Sequence, residues 1–246
     1  MGAIKGQFKV IAVFTLVVFT LLLLSQVSRA QDAVHALQQN LFYSQYNLLR
    51  LVTDFELYRN GQGQNDVFDQ LTAHLKQFRA HFDSVIAPES GLAETQRQAL
   101  VQQWKDVARN LSALMVTVRQ GGFIDQEIRY QYREQTSLLW RHLHAALLEQ
   151  RSLTGSEKLV LLLQNSNLRY LEPQWRLAPH EEDSLGAMTD QIDTLISELP
   201  DAPDDFNRKW PLLRQTLQQD GRSMSFLVNR YSNDLVALLL VNAGKS

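Results

Sequence analysis

At 246 residues, with 45% hydrophobic and 20% charged residues, the chain is long enough for one large or two small domains and too apolar for wholesale disorder. The first thirty residues hold Lys5, Lys9 and Arg29 and no acid, leaving 21 basic against 26 acidic groups in the remainder, a net charge of −5. So acidic a body lacks the concentrated basic face that nucleic acid requires, and the absence of cysteine excludes disulfides, thiolate catalysis and cysteine-bound metals.

The chain opens with an apolar run, VIAVFTLVVFTLLLL, over residues 10–24. It passes without Gly or Pro into a heptad-like pattern: Val27, Val34, Leu41, Leu48 and Phe55 at one position, Ala30, Leu37, Ser44, Leu51 and Tyr58 at the other. One continuous helix leaving a membrane accounts for both features. Residues 1–9 then form a cytoplasmic tail held inside by Lys5 and Lys9, residues 10–27 a single-pass inner-membrane anchor, and the rest lies in the periplasm of a bacterium. The alternative is a signal peptide cut after Ser28-Arg29-Ala30, which would release a soluble periplasmic binding or chaperone-like factor. The heptad runs across that cut and favours the anchor.

Beyond Tyr58, the turn Asn60 to Asn65 precedes a second helix, capped by Asn65 or Asp66 and striped by Phe68, Leu71, Leu75, Phe78, Phe82 and Val85. Pro88 to Gly91 ends it. Leu100, Trp104, Val107, Leu111, Leu114 and Val118 stripe a third helix that Gly121-Gly122 closes, and Ile124 to Leu147 mark a fourth. Thr154-Gly155-Ser156-Glu157 has capping-box spacing and opens a fifth, whose run Leu159 to Leu163 would be buried nearly all round, with Pro173 closing it near Leu171. Leu185 to Leu199 stripe a sixth. Pro200 and Pro203 flank an acidic loop, and a seventh helix begins or bends at Trp210-Pro211. Gly221 precedes the eighth, striped by Met224, Val228, Tyr231, Leu235 and Leu238. No stretch alternates like a strand. The expected fold is all-α: a membrane helix continuing into an up-down helical bundle, divided as residues 28–152 and 153–246 if two four-helix units follow in tandem. Asn47-Leu48-Leu49-Arg50-Leu51 and Asn167-Leu168-Arg169-Tyr170-Leu171 carry the faint echo that a duplication would leave.

Chemistry is scarce. No Glu-x-x-His pair, phosphate loop, nucleophile elbow or His-Glu-x-x-His occurs. His142 and His144 point to different sides of a helix, and His74 and His81 stand about 10 Å apart along one. His180-Glu181-Glu182-Asp183 reads as an acidic helix start rather than a cation site, and Asp201, Asp204 and Asp205 as solvated loop acids. Neither an enzyme nor a metal or other cofactor is expected. The first exported helix has two apolar sides, since Phe42, Tyr46, Leu49 and Val52 form a second stripe. Either both are buried in one bundle, or one meets a second copy in a homodimer through Val34, Leu37, Leu41, Leu48, Leu51 and Phe55. Arg50 and Asp54, between the stripes, can pair at i, i+4.

The stretch Tyr46 to Phe82, with NLLRLVTDFELYRNGQGQ and then DQLTAHLKQF, resembles the opening hairpin of the periplasmic sensor regions of bacterial membrane receptors: chemoreceptors, histidine kinases and diguanylate cyclases. The resemblance implies stacked helical bundles over residues 31–246 and a module that senses a ligand or binds an envelope protein. It also implies a small anion, such as a carboxylate, held by an Arg on the membrane-proximal helix. Arg50 is the match on the first helix, and Arg169 takes the comparable place if the halves are repeats. The apolar run Leu235 to Val241 is too short to span a bilayer, so signalling is expected to need a membrane-protein partner rather than kinase or cyclase activity in this chain.

Overall fold

The computed structural model describes residues 3–61, 63–199, 203–219 and 224–243, with side chains from residue 31 to residue 241 of these. The expected anchor at 10–27 and the 28–30 cleavage motif have side chains outside the described set, and Pro200, Asp201 and Gly221 lie outside it altogether. Within it the protein is all-helical: α1 (Ala3–Asn60), α2 (Asn65–Val85), a 3-10 turn (Pro88–Ser90), α3 (Glu94–Arg119), α4 (Gln126–Gln150), α5 (Gly155–Leu171), α6 (Leu185–Glu198), α7 (Asp204–Gln218) and α8 (Ser225–Ala243). Among the described residues no helix is long and apolar enough to cross a membrane.

Local chemistry sets most of the boundaries. Gly91 and Gly121 adopt φ of +86° and +65°, a left-handed backbone that side chains with a Cβ disfavour, and each closes a hairpin. Asp125 caps α4 by accepting from the Glu127 amide at 2.7 Å. The capping box of α5 is complete: Glu157 N–H donates to Thr154 Oγ1 (3.2 Å), and Thr154 N–H donates to Glu157 Oε2 (2.9 Å). Two boundaries differ from expectation. Gln64, not Asn65 or Asp66, stands at the start of α2 and offers no side-chain cap. In addition, α7 starts at Asp204 and continues through Pro211.

α1 and α5 are the two interior helices. α1 lies against α2 and α4, both antiparallel to it, and against α5, which runs in its own direction. The register is read from the contacts: Gln38 donates to the Gln150 carbonyl at 3.4 Å, His144 meets Gln45 at 3.0 Å, and Phe55 meets Tyr132 edge to face. Just beyond α5, Trp175 donates to Glu56 and Arg59 reaches Glu172, each at 3.1 Å. α5 therefore follows α1 from about residue 40 to residue 56, and the helices α5 to α8, which close a ring of four, sit beside α1 to α4 instead of stacking on them.

This position explains the fate of the two apolar stripes on α1. Leu37, Leu41, Leu48, Leu51 and Phe55 are all buried in the chain's own core, and so are Phe42, Tyr46, Leu49 and Val52 on the opposite side. Of the six residues considered for a dimer seam, only Val34 is exposed. Among the described side chains of α1, the two stripes are covered by α2, α3, α4 and α5, with α5 alongside α1 from about residue 40 to residue 56. The core is one continuous cluster from Leu37 to Leu239.

Candidate functional site

Long interior helices normally bury apolar side chains, each contributing about 1.5–3 kcal/mol. α5 obeys this over Leu159 to Leu163 and then departs from it: Gln164, Asn165, Ser166 and Asn167 are also buried. Three of the four donate a hydrogen bond, although the side-chain oxygens of Gln164 and Asn167 are themselves buried without a partner. Gln164 donates to Asn233 (3.0 Å) and Asn167 to Asn229 (2.9 Å) on α8, while Ser166 donates to the Leu162 carbonyl (2.9 Å). Asn165 makes no hydrogen bond among the described residues, and its Oδ1 is sealed from solvent without a partner, although the residue is only 2% exposed. A buried amide with no partner costs about 1–3 kcal/mol, so it calls for an explanation.

Asn165 lies on the floor of a cleft of about 520 Å³, inside the roughly 300–1,000 Å³ range of small-molecule sites. Leu161 and Leu162 complete the floor. Trp140, His144 and Leu148 of α4 form one wall, and Gln191, Thr194 and Leu195 of α6 the other. The loop between α5 and α6 roofs it with Ala178, Pro179 and His180, the Ala178–Pro179 bond being cis. The cleft exists because α4 and α6 flank α5 without closing on each other, and the loop fills only part of the gap. Lys158 and Glu198, both exposed, stand at its rim.

The roof is held by polar contacts from below. Trp140 Nε1 donates to the Ala178 carbonyl at 2.7 Å, and Arg169 donates to the carbonyls of His180 (2.7 Å) and Glu181 (3.4 Å). Asp183 accepts from His180 Nδ1 (2.8 Å) and Gln191 Nε2 (2.9 Å), and those bonds hold its carboxyl below the usual aspartate range. In the wall, Gln45 spends its amide hydrogen on the Leu41 carbonyl (3.3 Å), so its Oε1 faces His144 at 3.0 Å and Nδ1 of that ring carries the proton. Nε2 of His144 is then a bare acceptor. Burial, with the neighbouring His180, holds His144 below its ordinary value of 6.5 and keeps it neutral at pH 7.

The two arginines singled out from sequence lie elsewhere. Arg50 donates to the Tyr46 hydroxyl at 3.0 Å, with its guanidinium 5.8 Å from the Tyr46 ring centroid. Its expected partner Asp54 is buried, not part of a surface strip, and pairs with His74 of α2. Arg169 is buried, with its guanidinium engaged by loop carbonyls, so it braces the roof and presents no free fork to a ligand. His142 and His144 do diverge, toward Gln103 of α3 and Gln45 of α1. Among the described residues no three His, Asp or Glu side chains gather as a metal site. A second polar cluster went unread in sequence. Glu56, fully buried, accepts from Arg59 (2.8 Å) and Trp175, while Glu172 accepts from Arg59 and Arg129, tying α1, α4 and the end of α5 together. The signal for the cleft was visible as Gln164-Asn165-Ser166-Asn167 interrupting a Leu-rich helix, but sequence could not say which of the four would line a cleft and make no hydrogen bond.

Comparison with protein-family models, with curated proteins and with solved structures gave no match.

Proposed function

We propose that this protein is a membrane-anchored helical-bundle module of the bacterial envelope that binds a small molecule in the cleft between α4, α5 and α6 and passes the liganded state to a membrane-protein partner. The observation that carries the reading is the Asn165 amide, buried and unpartnered on the floor of a cleft whose lining is mostly apolar: a ligand supplies the hydrogen bonds that the fold withholds. The anchor rests on residues 10–27 with Lys5 and Lys9 before them. Release after Ala30 would leave the binding reading intact, since every lining residue lies beyond 139. The test is native mass spectrometry of the full chain taken from its membrane in mild detergent. A small-molecule adduct is expected on the parent and not on Leu195→Trp, whose indole fills the cleft. An adduct that survives in the filled variant would place the ligand elsewhere.

A further inference from the structure

We infer that the cleft is selective for a neutral carboxamide on a flat apolar body, its amide pairing edge to edge with that of Asn165 while the body lies along Trp140; this rests on the cleft being the ligand site. The argument begins with charge. The interior of the cleft holds no Asp, Glu, Lys or Arg: Lys158 and Glu198 are exposed at the rim with opposite signs, and the guanidinium of Arg169 is engaged by the His180 and Glu181 carbonyls. A carboxylate entering would lose its hydration without meeting a lysine or an arginine, and an ammonium without meeting a free carboxylate, which is costly in either case. The small-anion expectation attached to the arginines therefore does not extend to this cavity.

The next step is hydrogen-bond valence. Rotation about the Cβ–Cγ bond lets the Asn165 amide offer its donor, its acceptor or both, and a primary amide satisfies both with two parallel N–H···O=C bonds. A carboxamide then has one hydrogen left, and the neutral imidazole of His144 supplies a bare Nε2 acceptor on the adjoining wall. Of the other polar lining groups, His180 and Gln191 are bonded to Asp183 and Thr194 to the Asp190 carbonyl, while the buried indole of Trp140, whose N–H is bonded to Ala178, adds an apolar ring. Sites built to hydrogen-bond one group reject analogues that leave buried polar atoms unpaired far better than they reject a change of bulk.

Calorimetric titration of the full chain in lipid nanodiscs, with empty discs as blank, tests this using three probes that share a body: 2-naphthamide, 2-naphthoate and 2-naphthylmethylammonium. Naphthamide is expected to bind at least about tenfold more tightly than either charged probe, and Asn165→Leu to weaken it by at least about tenfold. Absence of naphthamide binding at about 1 mM overturns the inference, since so weak an affinity is no more than about −4 kcal/mol. If a charged probe binds as tightly as naphthamide but is weakened by Asn165→Leu, the ligand class is wrong and the cleft remains the site. If naphthamide binds Asn165→Leu and Leu195→Trp as it binds the parent, both readings fall.

Discussion

Replacing Asn165 by Leu should make the unliganded protein more stable. The parent pays for a buried Oδ1 with no partner, a cost of about 1–3 kcal/mol. Leu removes that atom and adds apolar surface beside Leu161 and Leu162, at about 0.8 kcal/mol for each buried methylene. Overpacking, which costs about 1–3 kcal/mol in a filled core, is relieved here because the residue lines a cavity of about 520 Å³. The net expectation is a gain of about 1–3 kcal/mol. For a chain of this size each kcal/mol moves the melting temperature by about 2–4 °C, so Tm should rise by about 2–10 °C. Asn165→Asp is the opposite control, because it sets an unpaired carboxylate in the same place and should lower Tm. Calorimetric melts of the three proteins without ligand decide the matter, with urea unfolding to show an unchanged m value. If Asn165→Leu melts lower than the parent, the amide is engaged in holding the fold, and its claim to be the polar anchor of a ligand site fails. Gain of stability with loss of binding is the pattern of a residue retained for function.

Four further outcomes follow from the same contacts. Leu48→Asp should unfold the monomer, since an unpaired charge in the core adds several kcal/mol to the roughly 2–5 kcal/mol lost with a buried Leu, while Val34→Asp on the surface should change stability by less than about 0.5 kcal/mol; circular dichroism read beside sedimentation would expose the error if Leu48→Asp stays folded and merely splits a dimer. Arg169→Ala should cost about 1.5–3 kcal/mol by freeing two loop carbonyls, whereas Arg50→Ala, which loses one contact to Tyr46 on its own helix, should cost less than about 1 kcal/mol, as measured by urea unfolding. Stability should fall with acid: His81 and His144 are held below 6.5 by burial, so the unfolded chain takes up protons first as pH drops through 6.5, and Glu157 and Asp183, held below their ordinary values, remove more below about 4.5; urea midpoints at pH 7.5, 6 and 5 check the sign, and His144→Gln should flatten the upper part. The anchor should resist alkaline extraction, and intact mass should retain Lys5 and Lys9; a mature start at Gln31 would replace it with a secreted factor.

Much of this fold was legible in the chain, because helix signals are local. Apolar residues three and four apart, the Thr154–Glu157 box, and Gly91 and Gly121 at left-handed turns each act within a few residues, so the all-helical class and nearly all helix limits follow from sequence. Neighbourhood is not local, and there the sequence was ambiguous. Two apolar stripes on α1 are equally compatible with a dimer seam and with an interior helix, and only the placement of α5 alongside α1 buries both. Arg50 and Asp54 have the spacing of a surface pair, yet Asp54 is drawn inward to His74 across a helix interface that no i, i+4 rule contains. Arg169 carries a charge suited to an anion, but a loop folded back from eleven residues later engages it with carbonyls. Four adjacent polar residues on α5 look alike as letters. A helix turns about 100° per residue, so each faces a different neighbour. The fold offers acceptors on α8 to the side-chain amides of Gln164 and Asn167, the helix's own backbone to Ser166, and the floor of a cleft to Asn165.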